Sequence, residues 1–183
     1  GSKCTEICNE LQKIIDTCPN NVLLDITLFS TTAWKASTSL KSGIDSAKLM
    51  QEIVTACSRK GMTALYDAWG EMMATIPLKG KLQIFYLIAI FKNNSFLGLK
   101  KVDGQNLVLS DGEDNASEKY TLETAKQLTE KVIRSHQAKF NYIQVGTSTG
   151  NVDVLRALQT MSSMKLPVQL QIVEDSAKGI KTV

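Results

Sequence analysis

Leu107-Val108-Leu109-Ser110-Asp111-Gly112-Glu113-Asp114-Asn115 is the stretch that decides the fold. An apolar run passes without polar alternation into an acidic turn that contains glycine. A strand covered on both faces has this pattern, whereas a half-exposed strand alternates. Downstream, Leu122, Ala125, Leu128 and Val132 recur at helical spacing and predict a helix over 121–136. A strand over 140–145, a helix over 152–163 and a strand over 168–173 complete the C-terminal half. The order strand, helix, strand, helix, strand predicts parallel pairing with crossover helices.

The upstream half continues the alternation. Cys4, Ile7, Cys8, Leu11, Ile14, Ile15 and Cys18 share one helical face, and Pro19 ends that helix. Val22 to Phe29 reads as a buried strand, and Ser30 to Gly43 as a polar connection. Ile44 to Cys57 is a helix broken at Gly61. Residues 64–76 form another, with Leu65, Ala68, Trp69, Met72, Met73 and Ile76 facing inward. A Met and Trp stripe at this spacing is core, not a ligand box. Leu82 to Phe91 is unbroken apolar sequence, too short to span a bilayer as a helix. The pattern predicts one α/β domain over 1–183, a doubly wound, mostly parallel sheet with helices on both faces. Ligands in such folds bind beyond the carboxyl ends of the strands. Those ends carry Ser30-Thr31-Thr32, Ser110 to Asp114 and Gly146-Thr147-Ser148.

Composition narrows the function class. The net charge of +3 and the scattered basic residues do not predict nucleic acid or an acidic membrane as partner. The cysteines are Cys4, Cys8, Cys18 and Cys57, with no C-x-x-C pair to hold zinc or run redox chemistry. Read as small buried hydrophobes, they favour a cytoplasmic over an extracellular setting. Two glycosylation sequons, at Asn93 and Asn115, pull the other way. No secretory leader is visible before Cys4.

Three segments in chain order resemble the von Willebrand factor A family. They are Leu28-Phe29-Ser30-Thr31, then Gly61-Met62-Thr63-Ala64-Leu65-Tyr66-Asp67-Ala68, then the Leu107 to Asn115 stretch. Tyr142-Ile143-Gln144-Val145-Gly146 is similar to the family's fifth strand. The resemblance covers most of the chain, except for a gap around 79–105. It implies a Rossmann-like binding module, not an enzyme, that meets a protein partner at the carboxyl edge of the sheet. It implies Thr63 and Asp111 as ligands of a Mg2+ ion, with Ser30, Thr31, Gly112 and Glu113 beside the partner. Hydroxyl and carboxylate oxygens suit Mg2+, a hard cation that keeps several waters.

The chain departs from the family twice. The D-x-S-x-S loop that supplies the remaining metal contacts is absent, and Gly1-Ser2-Lys3 enters the first predicted helix at once. The first strand and that loop are expected upstream. Asp25-x-Thr27 is no substitute, because it lies within a strand. The intact form is therefore expected to bind Mg2+, and the chain as given is not. The second departure is the extra stretch at 79–105. Either Leu82 to Phe91 is a true strand filling the central place of the missing first one, or the stretch is a translated intron. Gly80-Lys81 and Gln105 are what splice boundaries can encode.

Two other readings compete. Some intracellular members of the family act as metal-independent scaffolds in larger complexes. Gly146-Thr147-Ser148-Thr149-Gly150 offers an enzyme alternative, either a nucleotide-binding phosphate cradle, although it lacks the Walker lysine, or a small hydrolase, since it matches G-x-S-x-G literally. That elbow needs a histidine after it, and His136, the one histidine, comes before. The turn is better read as a helix start capped by Ser148 or Thr149, with His136 capping a helix end or solvated.

Overall fold

The computed structural model describes residues 12, 16, 20, 23–29, 31–58, 62–76, 84–89, 105–110, 114–136, 139–145 and 152–173. They form a mixed α/β fold. The strands are β1 (Leu23–Phe29), β2 (Ala33–Leu40), β3 (Ile84–Ala89), β4 (Gln105–Ser110), β5 (Lys139–Val145) and β6 (Val168–Val173). The helices are α1 (Ser46–Ser58), α2 (Leu65–Ala74), α3 (Leu122–His136) and α4 (Val152–Ser163). Apart from residues 12 and 16, both helical, the first predicted helix lies outside the described residues, as do the turn at 146–150 and residues 79–83 and 90–104. No helix of the described residues is long and apolar enough to cross a membrane.

The sheet order is β2-β1-β3-β4-β5-β6. β1 pairs with β3, β3 with β4, β4 with β5 and β5 with β6, all parallel. β2 alone runs antiparallel, on β1. The registers Phe29↔Ala89, Ser110↔Gln144 and Val145↔Val173 bring the carboxyl ends of the parallel strands to one edge. β3 lies between β1 and β4, inside the run at 82–91.

β1 is buried on both faces: Ile26 and Leu28 on one, Thr27 and Phe29 on the other. That is why its sequence does not alternate. β2 corrects the expectation of a polar connection over 30–43. Trp34 and Ala36 pack against the core while Lys35 between them is exposed, the period-2 pattern of an edge strand. Its polar content disguised it as a loop.

The core joins α2 to the sheet. Trp69 is fully buried, stacks on Phe140 of β5 at 5.4 Å and meets Tyr142 at 6.2 Å. Burying one such aromatic removes about 150–250 Å² from water, about 4–6 kcal/mol of gross stabilisation. The indole N–H donates to Thr129 Oγ1 at 2.8 Å, and the Thr129 hydroxyl donates to the Ala125 carbonyl at 2.8 Å. The buried polar groups of α2 and α3 thereby satisfy each other. This packing fixes α2 against the sheet, which sets where its N-terminus points.

Candidate functional site

A helix start leaves amides without intrahelical partners. At α2 these amides are taken by a segment that follows β4. Thr63 N–H donates to Asn115 Oδ1 at 2.6 Å, Tyr66 N–H to Asp114 Oδ1 at 3.0 Å and Asp67 N–H to Ser117 Oγ at 2.9 Å. The Ser117 hydroxyl in turn donates to Asp114 Oδ1. Asn115 and Ala116 amides donate to the Thr63 carbonyl at 3.0 and 3.2 Å. Asp, Asn and Ser are the residue types that cap helices, here supplied from about fifty positions away in sequence.

The clasp is reciprocal. The Asp67 carboxylate accepts from the amides of Glu118 at 3.0 Å, Lys119 at 2.9 Å and Tyr120 at 2.7 Å. One turn on, Glu71 accepts from Lys119 Nζ and from the Tyr120 hydroxyl. The Lys119 ammonium, first of all, holds the Glu71 carboxyl below its usual range, and the Lys119 pKa rises in return. Tyr120 lays its ring on the helix at Gly70, where an added Cβ would come within 2.3 Å of the ring. Tyr66 is half-buried, and burial, then Asp114 and Asp153, pushes its phenol up.

Beside the clasp opens a cleft of about 690 Å³. One wall is the β1–β2 hairpin with Thr27, Thr31, Thr32, Trp34 and Lys35; the other holds Met62, Asp67, Glu71 and residues 115–119. Thr27 pairs across the hairpin with Lys35, whose Nζ donates to Thr75 Oγ1 at 3.4 Å. The Thr27 hydroxyl is buried and finds no hydrogen-bond partner among the described residues. Met62 is half exposed beside α2.

The sequence-predicted residues fare unequally. Thr63 lies at the N-terminus of α2, half-buried, with both backbone groups held by the clasp. Thr31 lines the cleft. Ser30, Asp111, Gly112 and Glu113 lie outside the described residues, as does Ser148. His136 is the last residue of α3 and half-buried, and its Nε2 is buried with no hydrogen-bond partner among the described residues. Sequence reasoning missed Asp67, Asn115 and Ser117, whose capping residue types were the available signal.

Among the described residues, no group of three or more His, Cys, Asp or Glu side chains could hold a metal ion. β3 occupies the place between β1 and β4 that the resemblance assigns to the strand before D-x-S-x-S. The residues after β3 are Ile90-Phe91-Lys92-Asn93-Asn94-Ser95, with a lysine and no carboxylate. Asp67 spends both carboxylate oxygens on backbone amides, and Asp114 Oδ1 accepts from the Tyr66 amide and the Ser117 hydroxyl. Thr63 and Asp111 alone would leave the ion with one hydroxyl and one carboxylate. Compared with known proteins, the chain matches no protein-family model and no curated protein.

Proposed function

We propose that the chain is a non-enzymatic protein-interaction module of von Willebrand A type, with a doubly wound sheet whose carboxyl edge meets the partner. In this form it works without Mg2+, as a scaffold. The observation that carries the reading is the clasp. Its polar side chains are spent on holding backbone amides, which makes a rigid rim rather than a reacting centre. A pre-organised rim loses little entropy when a partner docks. The cleft beside it supplies concave surface at the same edge.

The test is quantitative affinity capture with the tagged chain and with Thr31→Trp, which places bulk at the cleft wall. Both are run in Mg2+ and in EDTA. A set of proteins lost with Thr31→Trp and retained in EDTA is expected. Loss in EDTA would return the reading to a metal-dependent module. Identical captures by both chains would end the edge-binding reading altogether. Ser148→Ala is expected to change nothing, whereas a hydrolase built on residues 146–150 would lose its activity.

A further inference from the structure

The two edges of the sheet are finished differently. β2 closes one edge with a charge, Lys35, and a register shift against β1 at Ile26/Thr27. Charges and bulges on an edge strand discourage another strand from adding to it. β6 closes the other edge as Val168-Gln169-Leu170-Gln171-Ile172-Val173, with no charge, no proline and an unbroken register on β5. Among the described residues, no strand pairs with its outer side.

The ladder between β5 and β6 determines which groups that outer side offers. The Phe140 N–H donates to the Pro167 carbonyl at 2.9 Å. Backbone groups alternate sides along a strand. Pro167, Gln169 and Gln171 therefore turn theirs to β5, and Val168, Leu170 and Ile172 turn theirs outward. The Val168 N–H already donates to the Leu166 carbonyl at 2.7 Å. That leaves the N–H groups of Leu170 and Ile172, and the carbonyls of Val168, Leu170 and Ile172, to be paired.

A second β6 pairs them. Laid antiparallel about Leu170, the two Leu170 residues exchange both backbone bonds, and each Ile172 N–H donates to the Val168 carbonyl of the other copy. The outward donor that this leaves over is the Val168 N–H, which is already bonded. In the same register Val168 opposes Ile172 and Gln169 opposes Gln171, so apolar residues meet apolar ones and amides meet amides. Charge selects the direction. In the sequence Lys165 precedes the strand and Glu174-Asp175 follow it. An antiparallel neighbour brings the basic flank of one copy to the acidic flank of the other, whereas a parallel neighbour sets like beside like.

We propose that β6 pairs antiparallel with β6 of a second copy, which joins two sheets into one across a two-fold axis. Each copy has one such edge, so the assembly closes at two. The two sheets then run in opposite directions, and their carboxyl edges face opposite ways. The dimer presents two partner-binding edges; this consequence alone rests on the reading of the chain as an interaction module.

Sedimentation equilibrium tests the pairing over about 1–500 μM, because so short an interface lies at the weak end of the range. A monomer–dimer equilibrium is expected. The amides of Leu170 and Ile172 should exchange more slowly as concentration rises, while that of Gln169, already turned to β5, should not respond. Gln169 is exposed and open to substitution. Gln169→Lys with Gln171→Lys sets like charges against each other across the axis and should weaken the dimer by about tenfold. Gln169→Lys with Gln171→Glu sets opposite charges there, and should restore the dimer or tighten it in low salt. Melting curves confirm that both variants are folded; if the first is not, the second and the exchange data of the parent decide. A monomer at every concentration, a dimer equally tight in both variants, or growth beyond two copies would overturn the proposal. A dimer that captures no partner keeps this pairing and removes the module reading. Partner capture by a chain that stays monomeric does the reverse.

Discussion

Gly70 and Tyr120 show how much of the site depends on single atoms. A glycine inside a helix costs about 1 kcal/mol relative to alanine in propensity. Here its missing Cβ is where the Tyr120 ring lies, at a separation of 2.3 Å from the position that Cβ would take. Gly70→Ala therefore gains propensity but pushes the ring off the helix. A net loss of about 1–3 kcal/mol is expected, the usual range for overpacking. In a chain of this size that lowers the melting temperature by about 2–12 °C. The loss should shrink sharply in a Tyr120→Ala background, because the clash is then gone, and an undiminished loss there would place the cause elsewhere. Glu71 makes a pH prediction. Its folded pKa is lowered, chiefly by the bond from Lys119, so it binds its proton less readily folded than unfolded. Its contribution is complete above the ordinary value of 4.5 and disappears as pH falls through the lowered one. The pair is substantially exposed, so the contribution stays under about 1 kcal/mol. Urea melts of Glu71→Gln and the parent should differ near neutrality and converge in acid. A gap that widens in acid would refute the assignment.

At the scale of elements, the clasp joins α2 to the segment behind β4 through Asp67. Asp67→Ala removes the acceptor of three amides, those of Glu118, Lys119 and Tyr120. Bonds to a charged acceptor contribute about 1.5–3 kcal/mol each, but the freed amides regain water, so a total loss of about 2–4 kcal/mol is expected. Amide exchange at 118–120 should rise most, while that at Phe140 and Tyr142 rises only as far as global stability falls. Uniform change across all of these amides would mean that the clasp is not a separate unit. What could be read from the sequence divides along the same line. β1, α2, α3, α4 and β6 were legible because burial imposes a period or an unbroken apolar run. β2 was not, since an edge strand with Lys35, Ser37, Thr38 and Ser39 has the composition of a loop. Thr63 was legible as the start of α2, but only the spatial meeting of 63–67 with 114–120 gives Asn115, Ser117 and Asp67 their roles. No local pattern encodes a cap supplied from another part of the chain.

For the whole molecule, the occupant of the sheet's centre decides which chemistry is available at its edge. β3 lies between β1 and β4, and the sequence that follows it, residues 90–95, contains a lysine and no carboxylate. The same position is compatible with the scaffold reading, because the clasp and the cleft use neither the metal nor its loop. Thermal melting in millimolar Mg2+ and in EDTA separates the two. A site filled at a hundred times its dissociation constant would add about 2.7 kcal/mol, which for a chain of this size is about 5–10 °C. The expected shift is under about 1 °C, and it should remain so in Thr63→Ala. A rise of several degrees that Thr63→Ala abolishes would restore the metal site, and would require oxygen ligands beyond those that Thr63 and Asp111 can supply.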